Sequence, residues 1–316
     1  MTHILPPLEV LPRDLSAYRH GNMGVDYVHR FDSGQPGPHV LINALTHGNE
    51  LCGMTAATHL LDSGIRPLCG TLTVSFANVA AYESFDPARP FDSRQLVHNF
   101  NRIWSSEWLD GPEDSPELRR ARALRPVVAA ADHVLDIHST SEPVVPFWVY
   151  PRRVSNSRVA SALSQPRVHL VMPDGLGSGT PLVQYGQHGS ADGVGTALVV
   201  ECGQHFLRST SEVATVVTLD FLAHFGLIAV PKTDIGAAKV SGPMRRYELL
   251  KTFKIQTPEF RFVRPLVGFE VFQEGELIAT DGDAEIRALC DDCTVFMPAR
   301  RPIVGVEAVY LTRPVA

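Results

Sequence analysis

The hydrophobic pattern of the chain is clearest in four short, almost continuously apolar segments at residues 40–45, 71–76, 133–137 and 196–201. Such segments are typical of strands that are buried on both faces of a sheet. Residues 50–62 carry apolar side chains at helical spacing, and Gly64 follows where that helix would end. A second helix is predicted from Ser209, which has capping-box spacing with Glu212, toward residue 226. The alternation of strands and helices predicts an α/β fold in which helices cover a mostly parallel sheet.

The pattern changes after residue 231, where helical periodicity disappears. Short β-type runs then alternate with Gly and Asp turns at residues 260–263, 269–273, 276–279, 294–297 and 308–311. We therefore predict an α/β domain at residues 1–232 and a small all-β domain at residues 233–316, with the boundary near residues 231–235. Residues 84–114 are rich in Pro, Asp and Arg and have little regular pattern, and loops of this length are often functional.

Composition narrows the class of protein. The 316 residues suffice for one large domain or two ordinary ones, and 44% apolar with 20% charged residues is typical of a soluble globular protein. A net charge of −6 and the lack of a Lys/Arg-rich tract argue against a nucleic-acid partner. No stretch is long and uncharged enough to span a bilayer, so we expect no membrane insertion.

The cysteines and the N-terminus bear on the compartment. Five scattered cysteines suit a reducing cytoplasm, and the N-terminus lacks the basic start and apolar core of a signal peptide, so we expect a cytoplasmic protein. Cys290 and Cys293 form a lone CxxC pair with two acidic residues between them, which is more typical of two thiols near a β-turn than of a zinc knuckle. Assembly into a homo-oligomer is left open, because no sequence pattern indicates which surface would form the interface.

Candidate metal ligands follow two of the buried strands. His47 and Glu50 come directly after residues 40–45, and His138 ends the strand that begins at residue 133. Zinc enzymes with a His, Glu and His set keep the fourth coordination position open for water. One His among 13, or one His-x-x-Glu pair, is weak evidence, but the three residues together at strand ends favour a site for one zinc ion per chain.

Glu201 is the candidate general base. It ends the last buried-type strand, and ligand crevices in open α/β sheets lie at the carboxyl ends of the strands. A carboxylate that emerges from an apolar strand is costly unless it has a partner or a function. Zinc that lowers the pKa of water to about 7 still needs a base and an oxyanion donor for hydrolysis. We therefore predict that Glu201 takes a proton from water and later gives it to a leaving amine.

The chain resembles the aspartoacylase and succinylglutamate desuccinylase group of the zinc carboxypeptidase clan. The resemblance covers nearly the whole chain and rests on five motifs in the family's order: His47-Gly-Asn-Glu50, Asn101-Arg102, Asp136-Ile-His138, Val200-Glu201-Cys-Gly203 and Glu307-Ala-Val-Tyr310. It implies a zinc-carboxypeptidase-like mixed sheet covered by helices, with the C-terminal β domain at the entrance of the active site.

The resemblance also implies a role for each matching residue. His47, Glu50 and His138 would hold zinc and Glu201 would be the base, while Asn101 and Arg102 would recognise a substrate carboxylate, Arg94 would polarise the scissile carbonyl and Tyr310 would reach the site from the β domain. A planar guanidinium suits both assigned tasks, because it binds carboxylates bidentately and donates to an oxyanion. The alternatives are a surface salt bridge for either arginine and an ordinary strand residue for Tyr310.

One departure from the family concerns the substrate. Aspartoacylases carry a further arginine shortly before the strand that bears the base, and residues 187–194 contain none. An acidic leaving group would lose a charge-assisted contact, so N-acetylaspartate is disfavoured. Residues 143–150 are apolar and aromatic, and they either line a pocket for a less polar group or form a core strand.

The prediction is a zinc-dependent amidohydrolase that removes an acyl group from an N-acyl amino acid or a similar small carboxylate. Two alternatives remain at this point. The chain could be a zinc carboxypeptidase that acts on short peptides, or a ligand-binding protein that keeps the fold without turnover.

Overall fold

The computed structural model describes residues 6–175, 178–190, 192–229 and 242–315. In these ranges the strands are β1 (Val28–Asp32), β2 (His39–Ala44), β3 (Thr71–Phe76), β4 (His133–Thr140), β5 (Phe147–Pro151), β6 (Val168–Met172), β7 (Thr196–Gln204), β8 (Arg245–Lys254), β9 (Arg261–Phe262), β10 (Val271–Phe272), β11 (Leu277–Asp281), β12 (Ala284–Arg287), β13 (Cys293–Phe296) and β14 (Glu307–Val315). The four predicted buried strands are β2, β3, β4 and β7, and none of their residues is exposed.

Helices cover this sheet. They are α1 (Leu51–Asp62), α2 (Val79–Glu83), α3 (Ser106–Leu109), α4 (Pro116–Ala130), α5 (Val154–Ala162) and α6 (Arg208–His224), with short 3₁₀ turns at Ser16–Tyr18, Asp92–Arg94, Phe100–Arg102, Leu182–Gln184 and Gly186–His188. Both predicted helices are present as α1 and α6, which share one apolar core with the sheet. Helix α4 packs into a second core, and it begins where Ser115 accepts a hydrogen bond from the Leu118 N–H and Pro116 takes the first helical position.

The large sheet has eleven strands in the order β1-β3-β2-β4-β7-β5-β6-β8-β14-β13-β10. Strands β3, β2, β4 and β7 are parallel, and β5 runs antiparallel to β7. The prediction of a mixed α/β sheet covered by helices is therefore confirmed. Because β2, β4 and β7 are adjacent and parallel, their carboxyl ends meet at one edge of the sheet.

The C-terminal part of the chain is rich in strands, as predicted. Strand β8 pairs in parallel with β6 and antiparallel with β14, so the C-terminal strands continue the large sheet. Strands β9, β11 and β12 form a separate three-stranded sheet, which shares an apolar core with β10, β13 and β14 of the large sheet. The predicted boundary near residues 231–235 lies outside the described residues, so the division into two domains stays a prediction.

Two smaller predictions can be compared with the structure. The second half of the segment 143–150 is the core strand β5, in which Phe147, Trp148 and Tyr150 are buried. Cys293 is buried in β13 and Cys290 is half-buried, and both are free thiols. In the described part of the chain, no helix is long and apolar enough to cross a membrane.

Candidate functional site

The predicted metal ligands and the predicted base meet at the carboxyl ends of three adjacent strands. His47 follows β2, His138 lies near the end of β4, and Glu201 lies in β7 directly opposite His138 in the strand register. Glu50 immediately precedes α1, at the turn from strand to helix. Side chains from three separate parts of the sequence therefore converge because the parallel strands β2, β4 and β7 are neighbours.

The loop that carries His47 is tightly packed. A Cβ atom on Gly48 would lie 2.4 Å from the carbonyl carbon of Ala81, from the carbonyl oxygen of Ser93 and from the nitrogen of Tyr82, so only glycine fits there. The Gly48 N–H donates a hydrogen bond of 3.1 Å to the carbonyl oxygen of Arg94. This close approach fixes the metal-ligand loop against the turn that carries Arg94.

His47, Glu50 and His138 form a compact donor set. His47 Nδ1 lies 2.7 Å from Glu50 Oε1, and His138 Nδ1 lies 2.9 Å from Glu50 Oε2. One ligand atom from each residue lies within 4.8 Å of the others, and all three side chains are buried. Imidazole nitrogen and carboxylate oxygen are ligands that zinc prefers, and three such residues leave the fourth position open. The donor set therefore fits a zinc ion.

The electrostatics of the set also favour a cation. Burial alone would raise the pKa of Glu50, but the adjacent His47 and His138 outweigh it and hold that pKa well below its usual range. Burial lowers the pKa of His47 to about 4, helped by the charge of Arg94. For His138, burial opposes the charged form, yet the carboxylates of Asp136 and Glu50 prevail and raise its pKa. A shared positive charge is thus stabilised where the three ligand atoms meet.

Each of the two histidines has an outer hydrogen-bond partner. His138 Nε2 lies 2.8 Å from Asp136 Oδ2, and Asp136 Oδ1 accepts hydrogen bonds from Asn43 and Thr46 at 2.8 and 2.7 Å. His47 Nε2 lies 3.0 Å from Asn99 Oδ1. Partners of this kind orient a ligand imidazole and fix which nitrogen faces the metal. Here both contacts direct Nδ1 toward Glu50.

Glu201 is a buried carboxylate beside this donor set. Only 8% of the residue is exposed, and its Oε2 has no hydrogen-bond partner among the described residues. Burial raises the pKa of Glu201 to about 8, although the positive charges of His138 and Arg94 act against it. A metal ion bound nearby would lower this pKa from that raised value, because it favours the charged carboxylate. Glu201 can therefore exchange a proton near neutral pH.

Arg94 lies at the edge of the donor set. Its Nη1 is 3.4 Å from Glu50 Oε1, and 41% of its side chain is exposed. The guanidinium is thus close to the ligands while part of it faces solvent, where a bound substrate would approach.

Asn101, unlike Arg94, is buried, and its Oδ1 accepts a hydrogen bond of 3.0 Å from the Leu182 N–H.

Arg102 and Tyr310 come together, but with an internal carboxylate. Arg102 binds Glu307 through two hydrogen bonds, Nη2 to Oε2 at 2.6 Å and Nε to Oε1 at 3.2 Å. The Tyr310 hydroxyl accepts from Arg102 Nη2 and donates to Glu307 Oε2, both at 2.8 Å, and Ser178 also contacts Glu307. Although burial alone would raise the pKa of Glu307, Arg102 lowers it to about 2. We call Arg102, Ser178, Glu307 and Tyr310 the arginine cluster.

Three polar side chains at the site have roles that sequence reasoning did not assign. Asn99 and Asp136 contact the two histidines, and Glu307 occupies the guanidinium of Arg102. All three lie inside or beside the motifs that were quoted from the sequence. The signal was therefore present, but spacing along the chain does not reveal which side chain faces which.

A mixed sheet covered by helices, with a buried His-Glu-His set and a carboxylate at neighbouring strand ends, defines an α/β protein with a candidate metal centre. The model of the succinylglutamate desuccinylase/aspartoacylase catalytic domain matches residues 36–215. The chain therefore belongs to this family of hydrolases that act on amide bonds, which confirms the resemblance seen in the sequence.

Individual relatives agree with this assignment. The human N-acyl-aromatic-L-amino acid amidohydrolase (carboxylate-forming) is 32% identical over 117 residues, which span 34% of this chain and 35% of the human protein. Succinylglutamate desuccinylase from Vibrio cholerae has a TM-score of 0.68 at 19% identity, over 92% of this chain and 86% of that one. An ectoine utilization protein from Ruegeria pomeroyi has a TM-score of 0.61 at 14% identity, over 94% and 93%. At these identities the solved structures establish a common fold.

Proposed function

We propose that the chain is a zinc-dependent amidohydrolase that removes the acyl group from an N-acyl amino acid or a similar small carboxylate. The observation that carries this proposal is the buried Glu201 beside the His47, Glu50 and His138 donor set, with an Oε2 that has no hydrogen-bond partner among the described residues. A zinc ion bound by that set would supply Lewis acidity and acidify water. Cytoplasmic location stays a prediction from the sequence, and homo-oligomeric assembly stays open.

The residues of the chain divide the remaining tasks. Glu201 takes the proton from the attacking water and delivers it to the departing nitrogen, since it lies opposite His138 and its raised pKa suits both steps. Arg94 donates to the developing oxyanion, because its guanidinium lies beside Glu50 and reaches solvent. Asn101, Arg102 and Tyr310 form the side that faces the carboxylate of the substrate.

The proposed substrate class is an N-acyl amino acid without a second carboxylate. Residues 187–194 have no arginine that could pair with a second carboxylate. This absence weakens recognition of an acidic leaving group. The similarity to the human N-acyl-aromatic-L-amino acid amidohydrolase supports a less polar substrate.

The test is amine release from a panel of N-acetyl, N-succinyl and longer N-acyl amino acids, with tripeptides included to detect carboxypeptidase activity. We expect release from one acyl class with zinc present, and a loss of kcat of about 10²- to 10⁴-fold in Glu201→Gln. As a control, Glu201→Gln should bind zinc as the wild type does. Near-normal turnover in this variant would contradict the role of Glu201. Release of C-terminal residues from tripeptides would favour the peptidase, and zinc binding without turnover would favour a binding protein.

A further inference from the structure

The two histidines of the donor set differ in the side chain that contacts their Nε2 atom. His138 Nε2 faces the carboxylate of Asp136, whereas His47 Nε2 faces the carboxamide of Asn99. Asp136 is itself held by two buried donors, Asn43 and Thr46. The site therefore has one charged and one neutral outer acceptor, although the two imidazoles are otherwise placed alike.

The contacts of Asn99 fix the protonation of His47. The backbone N–H of Asn101 can only donate, and it donates to the Asn99 side-chain oxygen at 3.0 Å. The Asn99 atom that faces His47 at 3.0 Å is the same oxygen, so it accepts there too. His47 Nε2 must then carry the hydrogen, and Nδ1 presents its lone pair toward Glu50.

We propose that Asn99 is a positioning residue for the metal centre: it holds His47 in the Nε2-protonated form and directs Nδ1 to the cation through a neutral acceptor. This inference rests on the metal site of the proposed function. It has a consequence for affinity, because a neutral acceptor gives less electron density to the imidazole than a carboxylate does. The chain should therefore hold its metal less tightly than a variant with an aspartate at position 99.

Asn99 also begins the 3₁₀ turn Phe100–Arg102, so its role as a cap must be separated from its role toward His47. Asn99→Ser keeps a side-chain oxygen for the Asn101 N–H but is too short to reach His47 as well. Asn99→Asp keeps both acceptor contacts and adds a charge. The two variants therefore preserve the cap equally and differ only at the imidazole.

The experiment measures the zinc dissociation constant of the full chain by competition with a chromophoric chelator. We expect Asn99→Ser to weaken binding by about 10- to 100-fold, and Asn99→Asp to bind more tightly than the wild type. Equal affinity in the wild type and Asn99→Ser would overturn the inference, and so would binding by Asn99→Asp that is no tighter than that of the wild type. No substrate is needed, so a chain without turnover that still follows this order would contradict the proposed function alone.

A second readout uses the wild type itself. Imidazole ¹⁵N chemical shifts of His47, assigned by comparison with His47→Gln, report which ring nitrogen carries hydrogen. We expect a protonated Nε2 in the zinc-loaded protein and a zinc-shifted Nδ1. Zinc bound at Nε2 would overturn the inference even if the position 99 variants failed to fold. Absence of zinc binding by the wild type would overturn both the metal site and the role of Asn99.

Discussion

The metal-ligand side of the site and the arginine cluster differ in how their charges are balanced. His47, Glu50 and His138 turn electron-rich atoms toward one another with 1–3% of each residue exposed, so the arrangement calls for an added cation. In the arginine cluster the guanidinium of Arg102 meets the carboxylate of Glu307, and 22% and 18% of these side chains are exposed. The cluster is electrically complete without a ligand.

This difference separates what each side can contribute to binding. A bound cation would stabilise the metal-ligand side, because it would face the Glu50 carboxylate and the Nδ1 atoms of both histidines. A substrate carboxylate at the arginine cluster must instead share Arg102 with Glu307. Binding of a substrate carboxylate by Arg102 should therefore be weak. The stability of the metal-ligand side should change with added zinc, and the stability of the arginine cluster should change at low pH.

The largest expected effect that tests this comparison is the acid response of Glu307. Its pKa is about 2 in the folded protein against an ordinary value of 4.5, so the stabilisation is present above pH 4.5 and is lost as the pH falls toward 2. The shift corresponds to about 3 kcal/mol. Chemical unfolding of the wild type and of Glu307→Gln from pH 6 to pH 3 should show that the wild type loses the larger part of this increment, and that the variant does not.

A matched control for this measurement is Glu285→Gln. Glu285 pairs with Arg287 at 2.7 Å, but 52% and 47% of these side chains are exposed, so the pair should contribute less than about 1 kcal/mol. Parallel pH profiles of the wild type and Glu307→Gln would mean that Arg102 does not stabilise the folded chain through Glu307.

Zinc should raise the free energy of unfolding by slightly less than the increment expected from Glu307. Zinc at 100 times its dissociation constant should raise the free energy of unfolding by about 2.7 kcal/mol, because it binds the folded chain. Thermal unfolding with and without zinc measures this gain, which should vanish in His138→Gln. His169→Gln is the matched control, since His169 is equally buried in β6 but is not part of the donor set. Equal zinc protection of both variants would place the metal elsewhere.

The smallest effect is expected for Tyr310→Phe. The variant loses the hydroxyl that contacts Arg102 and Glu307 and that we propose also faces the substrate carboxylate, where one hydrogen bond contributes about 1 kcal/mol. We expect KM for the active acyl substrate to rise by about fivefold with kcat unchanged. Tyr185→Phe, which removes a hydroxyl bound to Arg125, should leave KM unaltered. A drop in kcat instead would assign Tyr310 to the chemical step.

The strands that build the site were predictable because they are buried on both faces. Strand β3 has the predicted bounds, and β4 and β7 begin at the predicted residues. Strand β8 was not predicted, because it carries five charged residues and its hydrophobic pattern is broken. Such a strand forms because it packs and pairs with its neighbours, and the periodicity of a single sequence does not reveal those contacts.

The same limit applies to the side chains. Convergence of His47, Glu50, His138 and Glu201 follows from the rule that parallel strands end at a common edge. The pairing of Arg102 with Glu307 joins residues 205 positions apart, and nothing in either motif specifies it. Tertiary pairing between two charged motifs therefore had to be seen in the structure.

The continuous sheet has a consequence for the length of substrate that the site can accept. Backbone hydrogen bonds link β7, which bears Glu201, to β14, which bears Glu307 and Tyr310, through β5, β6 and β8. A hinge between these strands would break that ladder. The strands that carry Glu201 and Tyr310 are therefore held in one sheet, and a substrate that touches both Glu201 and the arginine cluster must fit a fixed separation.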